Sequence, residues 1–240
     1  MPVPEAREAL LSKLIDHAPL FPPASMDMPA AVAEDTRARA SEQAWMVARF
    51  VCLASRLPEL EAELAGAPSP AISAVLDGGD WATSALPVEA VEMVGPPPFE
   101  PPGVDVFCEV PLDDDWRDTL AAVAAGGGMA KLRCGGKAVP TVEQVAAFFA
   151  AARDLELPFK ATAGLHHPVR SEHEHGFLNF LTAADRAAAG ADEDELRAIL
   201  GTTDAAELGT GSAAGRELFV SIGSCSFAEP VADLQELGLL

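Results

Sequence analysis

The chain has 240 residues, of which 49% are hydrophobic, so it is long enough to bury the core of one large domain or two small ones. Its 37 acidic residues outnumber the 16 basic residues and give a formal net charge of −21. This charge argues against nucleic acid or an anionic membrane surface as the main partner, because both repel an acidic protein. No apolar run reaches the roughly 18 residues of a membrane helix, and the N-terminus lacks the apolar stretch of a signal peptide, so we expect a cytoplasmic protein.

Short apolar segments alternate with helical patterns along the whole chain. Eight segments are strand-like: Leu14–Leu20, Ala44–Ala54, Ala71–Leu76, Val91–Val94, Val104–Val110, Met129–Cys134, Phe159–Leu165 and Leu218–Cys225. The clearest helix is predicted over Val142–Leu157, where Thr141 and Gln144 match a capping box. Further helices are predicted at Ala30–Ala40, Pro58–Ala65, Asp114–Ala125, Phe177–Ala189 and Asp192–Leu200, and from Pro230 onward. The proline-rich connection after the fourth strand shows no helical pattern.

Eight strands that alternate with helices over this length predict a (β/α)8 TIM-type barrel, formed as a single domain over residues 1–240. A doubly wound open α/β sheet is the runner-up. The first strand-to-helix junction, residues 18–23, lacks the glycine pattern that opens many doubly wound folds, and this favours the barrel. The apolar faces of the outer helices are compatible with a homodimer.

The distribution of positive charge singles out two lysines. The chain contains 12 arginines but only four lysines, and Lys131 and Lys160 lie on successive predicted strands. Arginine cannot replace lysine as a nucleophile because its guanidinium group stays protonated. Strand alternation puts Arg133 on the face of Lys131, and Thr162 on the face of Lys160. If both faces point into the barrel, repulsion between the ammonium groups should lower an amine pKa and favour imine formation with a carbonyl substrate.

Other polar residues fall near the ends of predicted strands, where the active sites of such barrels lie. Glu109 lies near the end of the fifth strand and could act as a proton shuttle or counter-ion. Arg133 offers a planar fork for a carboxylate or phosphate. Thr162 and Asp16, on the seventh and first strands, are predicted substrate contacts.

This arrangement resembles the class I, Schiff-base aldolases of the (β/α)8 type, and most nearly the deoxyribose-phosphate aldolases. The resemblance implies that Lys131 on the sixth strand forms the imine and that Lys160 on the seventh lowers its pKa. It also implies that Gly223 and Ser224 form a phosphate-binding turn. Where the family has Lys-Thr-Ser-Thr-Gly, this chain has Lys-Leu-Arg-Cys-Gly over residues 131–135.

Four of the five histidines fall within ten residues after the seventh strand: His166, His167, His173 and His175. A histidine titrates near neutral pH, so His166, the closest to the strand, is the predicted general acid or base. His167 is a predicted substrate contact. The alternative is that these four histidines bind a divalent metal such as zinc.

Three functions follow from these patterns. The first is a lyase or aldolase-like enzyme that needs no cofactor and acts through a lysine imine on a small carbonyl-containing, anionic metabolite. The second is a metal-assisted hydrolase or isomerase built on the loop from His166 to His175. The third is a non-catalytic barrel that binds a metabolite. The expected partner is a small molecule in each case.

Overall fold

The computed structural model describes residues 4–97, 103–136, 139–209 and 213–240. Eight parallel strands form a closed barrel in which each strand pairs with the next in the chain and the last pairs with the first. The strands are β1 Ile15–His17, β2 Val47–Leu53, β3 Ile72–Val75, β4 Val88–Val94, β5 Asp105–Glu109, β6 Met129–Arg133, β7 Phe159–Thr162 and β8 Phe219–Ser224. The predicted (β/α)8 barrel is therefore confirmed, and the closure of β8 on β1 excludes the open sheet.

Seven of the eight predicted strand segments contain one shorter observed strand each, whereas the observed β4 begins three residues before the predicted Val91–Val94. Residues 44–46 form a short 3-10 helix rather than the start of β2. β1 is only three residues long, because the chain turns soon after it through a proline-rich segment. The apolar patterns therefore locate the strands well but overestimate the length of all except β4.

The described residues contain nine α-helices. They are α1 Pro4–Leu11, α2 Met28–Ala40, α3 Leu57–Leu64, α4 Trp116–Ala125, α5 Val142–Asp154, α6 Phe177–Ala188, α7 Glu193–Gly201, α8 Ala213–Leu218 and α9 Ala228–Glu236. The capping box of α5 is confirmed, because the Gln144 N–H donates to the Thr141 hydroxyl at 3.2 Å and the Thr141 N–H donates to the Gln144 side chain at 2.9 Å. The sequence patterns do not predict α1 and α8. None of the described helices combines the length and hydropathy needed to cross a membrane.

The helical layer around the barrel is incomplete on one side. Residues 76–87, between β3 and β4, contain turns but no helix. The described residues of the next connection, 95–97 and 103–104, are also non-helical, as the proline-rich sequence predicts. The C-terminal ends of β3 and β4 are consequently surrounded by loops.

Because side chains alternate along the strands, the layer between the strands and the helices differs in composition from the inside of the barrel. Outward-facing residues pack against the helices, and the largest group is an aromatic cluster whose neighbouring ring centroids lie 4.8 to 5.3 Å apart. Its members are Phe148, Phe149, Phe159, Phe180 and Phe219. Inward-facing residues are largely polar or charged instead of aliphatic. This charged barrel interior is unusual, because charged side chains are rarely buried and need a partner when they are. It contains the candidate site.

Candidate active site

Lys131 and Lys160 come together inside the barrel. The parallel pairing of β6 and β7 sets Lys131 directly beside Lys160. Both side chains are buried, with 6% and 0% of their surface exposed. The two amines therefore point into the barrel, as strand alternation from the sequence predicts.

A carboxylate that the sequence analysis did not identify lies between the two amines. One oxygen of Glu92 on β4 lies 2.8 Å from the Lys160 Nζ, and its other oxygen lies 3.3 Å from the Lys131 Nζ. Glu92 is only 2% exposed. It occurs in the strand Val-Glu-Ala-Val-Glu-Met-Val, and the available signal was a charge flanked directly by the apolar Val91 and Met93.

Further polar groups complete the network around Lys160. Its ammonium group also donates a hydrogen bond to Asp16 on β1. The Ser221 hydroxyl donates to the same oxygen of Asp16 at 2.8 Å, and the Ser73 hydroxyl donates to Glu92 at 2.7 Å. Asp16 is fully buried, so it acts here as a counter-ion of Lys160 rather than as a group that faces the cavity.

Lys131 has a second acidic neighbour. Its Nζ lies 3.0 Å from a carboxylate oxygen of Glu109, which is the adjacent residue on β5. The Glu109 side chain is 17% exposed, so it connects the buried network with the space above it. Together, Asp16, Glu92 and Glu109 surround the two lysines with three carboxylates.

These contacts determine the charge states. Burial raises the pKa of Glu92, but the nearby charges of Lys160 and Lys131 outweigh burial and hold that pKa at about 2. For Lys160, burial lowers the pKa, but Asp16 and Glu92 outweigh it and leave the pKa above its usual value. The direct repulsion between the two amines that the sequence predicts is thus offset by the carboxylate between them, and Lys160 remains a cation.

The Glu92→Gln substitution is expected to change how stability depends on pH. In the wild type, the pKa of Glu92 is about 2 in the folded state against an ordinary value of 4.5. A depressed pKa stabilises the fold above pH 4.5, and this contribution is lost as the pH falls from 4.5 to about 2. At 1.36 kcal/mol per pH unit, the contribution is about 3 kcal/mol.

Urea unfolding of both proteins between pH 2 and pH 7 measures this contribution. The gap in unfolding free energy between wild type and Glu92→Gln should be largest at neutral pH and shrink toward pH 2. Glu89→Gln is the matched control, because Glu89 lies on the same strand with its side chain 59% exposed. A gap for Glu92→Gln that does not vary with pH would contradict the assignment.

A cavity of about 590 Å³ opens over this network at the C-terminal ends of the strands. Its lining includes both lysines, Glu92 and Glu109. Among the other residues predicted from the sequence, Arg133, Thr162, Gly223 and His166 also line it. A volume of this size suits a small metabolite.

The loops after β6 and β7 pack tightly beside the lysines. A Cβ on Gly135 would lie 2.9 Å from the Gly164 nitrogen, and one on Gly164 would lie 2.8 Å from the Cys134 carbonyl oxygen. Gly164 also has a φ of +69°, which strongly favours glycine. Arg133 donates from Nε to the Gly135 carbonyl at 3.2 Å and lies over Gly136. These glycines therefore let the two loops approach each other and hold Arg133 at the cavity edge.

Ser224 and His167 do not face the cavity. The Ser224 hydroxyl donates to the Ser226 carbonyl at 2.7 Å and is buried, so it is not available in the way that a phosphate-binding turn would require. The His167 ring lies 2.6 Å from Asp233 on α9, and this hydrogen bond raises the pKa of His167. The prediction that these two side chains contact the substrate is not supported by their positions.

The four clustered histidines point in different directions. His166 and His173 line the cavity. His175 is buried, with Nε2 2.8 Å from the Pro140 carbonyl, and burial lowers its pKa. In the part of the chain that the structure describes, no three histidine, cysteine or acidic side chains are arranged to bind one metal ion. The four histidines of the alternative metal site, His166, His167, His173 and His175, are therefore not brought together in the structure, because a loop does not force the side chains along it to converge.

His166 has three polar neighbours. Its Nδ1 lies 3.5 Å from the Ser224 hydroxyl, 3.6 Å from a carboxylate oxygen of Glu229 and 4.0 Å from the Cys225 sulfur. The ring is 13% exposed. It therefore lies between α9 and the cavity, where it can exchange a proton with a bound molecule.

Comparison of the sequence with models of known protein families finds no matching family, and comparison with curated proteins finds no similar protein. The case for a function therefore depends on the geometry and charge of the cavity.

Proposed function

We propose that this chain is a lyase or aldolase-like enzyme, in which Lys131 forms an imine with a small, anionic carbonyl compound. The observation that carries the proposal is the pair of buried lysines joined by the Glu92 carboxylate beneath an open cavity. The resemblance to the deoxyribose-phosphate aldolases agrees with it, since that family also uses lysines on the sixth and seventh strands. Buried charged groups that converge at the mouth of a barrel are typical of active sites.

Lys131 is the better nucleophile of the two lysines. Each lysine is paired with two carboxylates, but Lys160 and both of its partners, Asp16 and Glu92, are at most 3% exposed, so a substrate cannot reach Lys160 without opening the buried network. Lys131 is partly accessible from the cavity, and its neighbour Glu109 is accessible too. Lys160 in this scheme keeps Glu92 ionised and in place.

The proton transfers can be assigned to groups around Lys131. The ammonium group must first pass a proton to Glu109, which lies 3.0 Å from it and lines the cavity, while Glu92 stays ionised. The free amine then attacks the carbonyl carbon, His166 or Glu109 donates a proton to the departing hydroxyl, and loss of water leaves a protonated imine. This cation accepts the electron pair of a breaking carbon–carbon bond, while a base such as Glu109 or His166 removes the proton of the neighbouring hydroxyl.

The anionic part of the substrate would bind on the side of β6 to β8. Arg133 lies at the edge of the cavity, two residues beyond Lys131 on the same strand face. Gly223 also lines the cavity, and its small size leaves room beside Thr162, whose methyl group would lie 3.1 Å from an added Cβ. Arg133 supplies the positive charge that an otherwise acidic protein needs to hold an anion.

Trapping of the imine tests the proposal. The protein is incubated with a panel of small oxo acids, aldehydes and sugar phosphates, reduced with sodium cyanoborohydride, and digested for mass spectrometry. We expect a stable adduct on Lys131 with at least one compound, at a concentration and time at which the exposed Lys13, the internal control, stays unmodified. Unchanged intact mass across the whole panel would count against the proposal.

Two adjacent histidines provide a test of proton transfer. We expect His166→Gln to lower the rate of adduct formation by about 10²-fold, because general acid–base catalysis typically contributes about that much. His167→Gln should leave the rate within about twofold, since the His167 ring lies outside the cavity lining and contacts Asp233. The rate is measured by quenching the trapping reaction at successive times. Equal losses in the two variants would remove His166 from the mechanism.

A further inference from the structure

The wall of the cavity is divided into an apolar and a polar half. Every described lining residue from β1 to β3 and their loops has an apolar side chain: Ala18, Phe21, Pro22, Pro23, Val51 and Val75. All the ionisable and hydroxyl side chains of the lining come from β4 to β8 and their loops. A molecule held at Lys131 therefore meets charge on one side and hydrocarbon on the other.

The backbone of the loop after β1 in the apolar half also offers no free N–H donor to a polar group. The Ala18 N–H donates to the Ser224 carbonyl at 2.7 Å, and the Phe21 N–H donates to the Ala18 carbonyl at 3.0 Å. Pro22 and Pro23 have no N–H group. A hydroxyl group on the substrate would find no free N–H donor among these four residues.

The polar side chains nearest to this half bond to other protein groups. Ser55, after β2, donates from its N–H and its hydroxyl to Asp77, after β3. The Ser73 hydroxyl donates to Glu92. At the outer edge, the apolar surface continues into Met93 and Val94, and Val94 is 67% exposed. The apolar wall therefore extends to the mouth of the cavity.

We infer that the substrate carries an apolar tail, so that the enzyme acts on a carbonyl compound with an alkyl or aryl substituent opposite its anionic group, rather than on a polyol. This inference rests on the proposed imine chemistry for the orientation of the molecule. The carbonyl carbon lies at Lys131, the anion faces Arg133, and the tail lies against Val51 and Val75. A hydroxylated tail would lose hydrogen bonds to water, and no side chain of this half could replace them.

Three 2-oxo acids test the tail. Pyruvate has no tail, 2-oxoheptanoate has a five-carbon alkyl tail, and 5-methoxy-2-oxopentanoate replaces one tail methylene with an ether oxygen. Each forms an imine with loss of water, and hydride from cyanoborohydride reduces the C=N bond to a stable secondary amine. We expect 2-oxoheptanoate to half-saturate adduct formation at a concentration about tenfold or more below that of either other acid, which is the scale for one group in an apolar pocket.

The double variant Val51→Thr/Val75→Thr tests the wall itself. It keeps the side-chain shape and adds two hydroxyl groups, so the preference for 2-oxoheptanoate over the ether should fall below about threefold, less than one methylene normally gives. Val88→Thr is the matched control, because Val88 lies at the start of β4 and is not part of the cavity lining. This control should keep the full preference.

Calorimetry separates a failure of the tail from a failure of the imine. Lys131→Met cannot form the imine, yet it should still bind 2-oxoheptanoate about tenfold more tightly than the ether isostere. If 2-oxoheptanoate and the ether bind with equal affinity, both to the wild type and to Lys131→Met, the apolar-tail inference is overturned, even if adducts form on Lys131. Absence of any adduct, together with a retained binding preference, would instead overturn the imine and leave the apolar tail standing.

Discussion

Lys131→Met is expected to abolish imine formation and any turnover that depends on it. Methionine has a similar shape but no amine, so the attack on the carbonyl carbon cannot occur. Loss of the nucleophile in an enzyme with a covalent intermediate costs roughly 10⁴-fold or more in rate. The readouts are the borohydride-trapped adduct and the steady-state rate with the compound that gives it.

Two controls make this result specific. Lys13→Met removes an exposed lysine and should leave adduct formation unchanged. Circular dichroism and thermal unfolding of Lys131→Met should show that the barrel is still folded, because Glu92 retains its partner Lys160. Trapping at the wild-type rate in folded Lys131→Met would assign the chemistry to another amine.

Lys160→Met is expected to act mainly on stability. The ammonium group of Lys160 is the shared partner of Asp16 and Glu92, and all three side chains are at most 3% exposed. Removing one partner of a buried ion pair leaves charge without compensation and typically costs about 3–5 kcal/mol. We therefore expect the free energy of unfolding, measured with urea at pH 7, to fall by about that amount.

A second substitution tests whether the loss of unfolding free energy comes from the carboxylates that are left without a partner. In Lys160→Met/Asp16→Asn one of the two carboxylates is neutral, so part of the lost stability should return, and the double-mutant cycle should give a coupling of about 1 kcal/mol or more. Lys13→Met should change stability by less than about 0.5 kcal/mol, because exposed side chains contribute little. A loss for Lys160→Met no larger than that of Lys13→Met would show that the network contributes little to stability.

The two substitutions also separate the roles of the lysines. Lys131→Met should remove the chemistry and leave a folded barrel. Lys160→Met should weaken the fold, and in the molecules that remain folded it should slow the reaction because Glu92 loses the partner that keeps it ionised. A purely structural pair of lysines would instead give two variants with the same loss of stability and no change in adduct formation.

The site was predictable from the sequence where it depends on a single strand or a pair of neighbours. The positions of Lys131 and Lys160 on β6 and β7 follow from local apolar patterns and from alternation along a strand. The contact of Lys131 with Glu109 follows in the same way, since β5 and β6 pair with each other. The histidine loop was less predictable, because a loop has no fixed alternation to direct His167 and His175.

The sequence by itself determined the barrel, the order of its strands and the placement of two lysines on adjacent strands. These features depend on apolar periodicity and on alternation along a strand, which both act over a few residues. Only the tertiary structure decided what stands between those amines. Glu92 is 68 residues from Lys160 in the chain, and Asp16 is 144 residues from it, yet closure of the barrel brings all three side chains into contact. Contacts over such separations depend on the packing of the whole sheet, and no local pattern in the chain specifies them.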